Sequence, residues 1–111
     1  MNFFLVTYHG PQGNDELELM AAIQSPHRSV PVGSKTYLVK ANLTAHQVSE
    51  KMKAYLESKG VQLKADSRIF IAQVYIDQHI STIEWHGPMG DALRNLLLPE
   101  IELGPPIFKE Q

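Results

Sequence analysis

Cysteine is absent from the 111 residues. That excludes disulfides, thiolate nucleophiles and cysteine-ligated metal centres, and it leaves a reducing compartment open. Excess charge is also lacking. Ten Lys and Arg stand against twelve Asp and Glu, for a net charge of -2, so the overall balance gives no support to nucleic-acid or anionic-membrane binding. Long apolar runs are missing as well. The longest, such as Phe3-Phe4-Leu5-Val6, are too short for a membrane span or a signal-peptide core, and the expected location is the cytoplasm. There is no Walker phosphate loop, zincin helix, nucleophile elbow or dinucleotide fingerprint, which removes the enzyme classes those motifs mark. What is present is ordinary globular composition, with 43% hydrophobic and 20% charged residues. It rules out a disordered or collagen-like chain. The length predicts a single domain over residues 1–111, with residues 98–111 as an extended, proline-containing tail.

Local patterns then divide the chain. Phe3 to Tyr8 is rich in aromatic and branched residues and reads as a strand, broken by His9-Gly10-Pro11-Gln12-Gly13. Asn14 is a good N-cap, with Asp15 and Glu16 in the first turn where carboxylates complement the helix dipole. Leu17, Met20, Ala21 and Gln24 mark one helical face, widened by Leu19 and Ile23, and the helix stops before Pro26. His27 to Val32 contains Pro31, so it is an edge strand or irregular. Lys35 to Ala41 follows the Gly33-Ser34 turn as the next strand. Thr44 and Gln47 have capping-box spacing, Val48, Met52, Tyr55 and Leu56 recur at helical spacing, and Gly60 is the natural stop. Arg68 to Tyr75 is a nearly continuous apolar strand, as for one buried on both faces. Ile80 to Trp85 is a possible fifth strand, and Asp91 to Leu98 a short last helix ended by Pro99. The order predicts an α+β fold: a ferredoxin-like βαββαβ sandwich with a four- or five-stranded antiparallel sheet and a short C-terminal helix.

Alternation along the strands makes both sheet faces apolar. Phe3, Leu5 and Thr7 share one face of the first strand, and Phe4, Val6 and Tyr8 the other; Ile69 and Ile71 oppose Phe70, Ala72 and Val74 in the fourth. Two helices cover one face. The other would expose a contiguous apolar patch that soluble monomers seldom tolerate. The expectation is a homodimer packed sheet on sheet with twofold symmetry. The alternative is that the last helix or the tail folds back over that face.

Tyr8-His9-Gly10-Pro11-Gln12-Gly13 and Trp85-His86-Gly87-Pro88-Met89-Gly90 resemble each other. A fifth strand beside the fourth would bring His9 and His86 to the same sheet end, about 10 Å apart at two strand spacings. Such a pair could act as acid and base or as half of a metal site. The simpler reading is two strand-to-helix turns built from the same breakers, because no third ligand has recognisable spacing. The Gly-x-x-Gly segments lack Lys or Arg and lead into Asp15, Glu16 and Asp91, which disfavours phosphate. No cofactor and no metal site is expected.

The ordered set Tyr8, Gly33-Ser34-Lys35-Thr36-Tyr37-Leu38-Val39, Leu43-Thr44-Ala45, Asp66-Ser67-Arg68-Ile69-Phe70-Ile71 and Trp85-His86-Gly87 resembles the SinR-like small proteins. These are relatives of the smaller CRISPR adaptation subunit and of the virulence-associated ribonuclease toxins. The resemblance implies a ferredoxin-like fold and a homodimer, and for some members nucleic-acid binding or metal-dependent nuclease activity. In the nuclease-like members an Asp follows the Tyr that ends the first strand. Here His9 stands there, and a divalent metal needs hard oxygen ligands, so that chemistry does not carry over. The leading expectation is a non-enzymatic homodimer with a binding or scaffolding role. The alternatives are an endoribonuclease or toxin using His9, with Tyr8 or His86, in metal-independent acid-base cleavage, and a nucleic-acid-binding dimer without cleavage.

Overall fold

The computed structural model describes residues 1–75 and 87–98. Its elements are β1 (Asn2–His9), α1 (Asn14–Gln24), β2 (Arg28–Gly33), β3 (Thr36–Ala41), α2 (Ala45–Ser58), β4 (Arg68–Val74) and α3 (Gly90–Leu97). They fall in two compact units, Met1–Val74 and Tyr75–Gln111. The first unit is α+β. Its four strands lie in the order β2-β3-β1-β4, and every neighbouring pair is antiparallel. This arrangement is compatible with a ferredoxin-like sandwich. The expected fifth strand at Ile80–Trp85 and the expected tail lie outside the described residues.

The register fixes both faces. Val6 is opposite Tyr37 on β3 and Ile71 on β4, and Phe4 is opposite Val39. With Tyr8 and Ala41 these residues meet Leu19, Ala22 and Ile23 of α1 and Val48, Met52 and Leu56 of α2 in one core. Each fully buried side chain of this size contributes about 1.5–3 kcal/mol. The α2 start follows the expected pattern. The Gln47 amide donates to Thr44 Oγ1 at 3.2 Å, and the Thr44 amide donates to Gln47 Oε1 at 2.9 Å. At its end Gly60 takes φ 68°, and the Val61 amide returns to the Leu56 carbonyl at 3.0 Å.

Two expectations need correcting. Asn14 is not a cap: α1 begins at Asn14 itself, after Gly13, with no side-chain cap. Leu17 is also not in the core but 63% exposed, whereas Leu19, Ala22 and Ile23 are buried. The helix is apolar around much of its circumference from Leu17 to Ile23, so periodicity alone cannot choose the inward side. In the fold Leu19, Ala22 and Ile23 face the sheet, and Glu16, one turn before Leu19, bonds Tyr8 on the same side. The second correction concerns β4. It is not buried on both faces, since Arg68, Ile69 and Phe70 are exposed and the rest are half-buried. Among the described residues β4 forms one edge of the sheet. β2 forms the other, as Pro31 suggested, with a register irregularity between Pro31 and Gly33.

In the second unit, α3 gives the short last helix. Leu93, Leu96 and Leu97 are buried, and Met89 precedes the helix at φ 67°.

Candidate functional site

Tyr8 and His9 are neighbours at the end of β1, so their side chains leave on opposite faces. Tyr8 is buried in the core under the helices. Its hydroxyl donates to Glu16 Oε2 at 2.8 Å. Burial first, then this bond and the Glu16 charge, hold the phenol well above its usual range. Tyr37 beside it is raised by the same two causes, burial before the Glu16 charge. The Tyr8 proton is therefore committed to Glu16 at neutral pH and is not offered to solvent.

His9 is exposed on the face turned away from α1 and α2. It lies opposite Arg68 in the β1–β4 register, and Thr7 lies opposite Phe70. With Ser67 and Ile69 they line a shallow cleft of about 510 Å³. Gly10 sets its depth. A Cβ at that position would come 2.9 Å from the Ser67 Cα, and its φ is +105°, so this close approach of the two chain segments admits glycine alone. On the helix side, a more apolar groove of about 570 Å³ runs between α2 and β4. Met52, Leu56, Val61, Leu63 and Ile71 line it, with Lys53 and Glu57 at its rim.

Of the sequence-selected candidates, then, Tyr8 and His9 are parted by the sheet itself, and His86 lies outside the described residues. Sequence reasoning passed over Arg68 and Phe70 as cleft residues because their strand reads as interior. The signal that could have found them is strand order: in a βαββαβ sheet with β1 at the centre, β4 takes an edge. General acid-base cleavage needs two proton carriers within reach of one substrate. The cleft supplies one histidine, an arginine, two hydroxyls and an aromatic ring, a set suited to binding by charge and apolar contact. Among the described residues no group of three or more His, Asp or Glu could hold a metal ion, and no helix is long and apolar enough to cross a membrane. No family model matches this chain, nor does any curated protein or solved structure.

Proposed function

We propose that this protein is a homodimeric, cytoplasmic, non-catalytic binding or scaffolding module whose copies pack through the sheet faces turned away from α1 and α2. One observation carries the reading. Phe70 sits on that face with 62% of its surface exposed, and Leu5 on the adjacent strand is 38% exposed. Phe3, Val30 and Leu38 on the same face are already buried, so the open patch is the β1–β4 half. Twofold packing would bury that half on both copies at once, and each large apolar side chain so covered contributes about 1.5–3 kcal/mol. The resemblance to the SinR-like small proteins supports the dimer on independent grounds. It also keeps ribonuclease activity as a second reading, against which the committed Tyr8 proton and the lone cleft histidine both weigh.

Light scattering at micromolar concentration tests the proposal. The expected result is twice the 12.5 kDa chain mass for the intact protein and the single-chain mass for Phe70→Ser, with matching circular dichroism. A single-chain mass for the intact protein overturns the reading, as does a Phe70→Ser variant that stays dimeric.

A further inference from the structure

Every ionisable side chain that the described strands place on the face turned away from α1 and α2 is basic. Arg28 of β2 is level with Lys40 of β3, and His9 of β1 is level with Arg68 of β4. No carboxylate of these strands shares the face. The acidic residues of this unit's helices are Asp15, Glu16 and Glu18 in α1 and Glu50 and Glu57 in α2. Lys40 is buried, its ammonium 5.7 Å from the Phe3 ring centroid. Arg28 is exposed at the β2 edge, and at the β1–β4 corner the exposed Arg68 lies two residues from Phe70 on the same face, opposite the exposed His9, with Asp66 in the turn before β4.

Self-packing of such a face sets like charge against like, which costs affinity. A partner that brings carboxylates to Arg68 gains a charge-assisted, two-pronged hydrogen bond instead. Arginine is also among the residues enriched where a few side chains carry most of an interface's energy, and Phe70 beside it offers apolar area to bury. We infer that this corner docks an acidic, apolar segment of another protein, which displaces the second copy. The displacement rests on the self-association reading above; the docking does not. A protein segment fits better than a nucleic acid. A polyanion draws its affinity from many phosphate contacts, and this corner offers one arginine on a chain of net charge -2.

Fluorescence polarisation with a short labelled peptide of alternating Glu and Leu tests the docking on the full chain. A Lys-Leu counterpart and an oligothymidylate serve as competing probes. The acidic peptide should bind and the basic one should not. Arg68→Gln and Phe70→Ser should each weaken binding about tenfold, and Arg68→Glu should transfer the preference to the Lys-Leu peptide. Equal binding of the two peptides overturns the docking, as does an unchanged preference in Arg68→Glu or tighter binding of the oligothymidylate. Light scattering on the same samples separates the two readings. A mass that falls from two chains to one on saturation supports displacement, and a dimer that keeps its mass with peptide bound overturns it. A single-chain mass before any peptide is added overturns self-association, and peptide binding to that single chain leaves docking in place.

Discussion

Phe4 and Phe70 belong to neighbouring strands of one sheet, yet they live in opposite surroundings. Phe4 lies beneath α1 and α2 with none of its surface exposed, whereas Phe70 projects from the opposite face of the sheet. The same side chain is structural in one place and available for contact in the other. The difference comes from parity along the strand and from which face the two crossover helices occupy. Hydrophobicity alone does not distinguish the two residues. On the covered face polar atoms are drawn into pairs, as the Tyr8 hydroxyl is by Glu16. On the opposite face Arg68 stays at the surface beside Phe70, while Lys40 is buried over the Phe3 ring.

The contrast is sharpest under alanine substitution. Phe4→Ala should cost about 3–5 kcal/mol in urea denaturation. Phe70→Ala should shift the stability of the single chain by no more than about 0.5 kcal/mol, measured at a concentration low enough to keep copies apart. Similar losses at the two positions would break the comparison. Alkaline titration probes the covered face next. Tyr8 holds its proton more tightly folded than unfolded. Stability should thus be full below the ordinary phenol range near pH 10 and fall as pH rises through it. In Tyr8→Phe, thermal melting at neutral pH should show a loss of about 1 kcal/mol, and the Tyr8 contribution to the alkaline fall should vanish. The smallest effect is expected on the acid side. His27 is held below its usual range by burial foremost and by Lys51, and its Nε2 is buried without a hydrogen-bond partner. The unfolded chain therefore takes up a proton there more readily than the folded one. Stability should fall as pH drops below about 6.5, the ordinary histidine value. Melting curves of His27→Gln from pH 7 to pH 5 should show a shallower loss, whereas an unchanged slope would remove His27 from the account.

Much of the framework was legible in the residues. Alternation in Phe3 to Tyr8 assigned each side chain to its correct face, and Thr44 with Gln47 marked the α2 start. Pro31 sent β2 to an edge. What escaped were features decided by tertiary partners. The inward side of α1 is set by packing on the sheet, where Leu19, Ala22 and Ile23 meet β1 and β3 residues, and local periodicity in a helix apolar around much of its girth does not reveal it. The apolar run from Arg68 to Val74 suggested an interior strand because composition reports how greasy a strand is, and strand order decides how much of it is covered. The candidate site suffered from the same gap. His9 was visible as an unusual residue at a strand end, whereas its pairing with Arg68 and the nearness of Phe70 to Thr7 arise from a register spanning nearly sixty residues of chain. Placing Tyr8 beside His9 as joint candidates ignored the pleat that sends successive side chains apart.

Gly10 ties the two themes together. It makes no contact of its own with anything docked at the cleft, but it is the hinge pin on which the floor rests. Any side chain there would push the segment carrying Ser67 outward and open a gap between the histidine and the arginine without altering either. The shape of this corner therefore depends on an atom that is missing, and a single added methyl group beside His9 would disturb it.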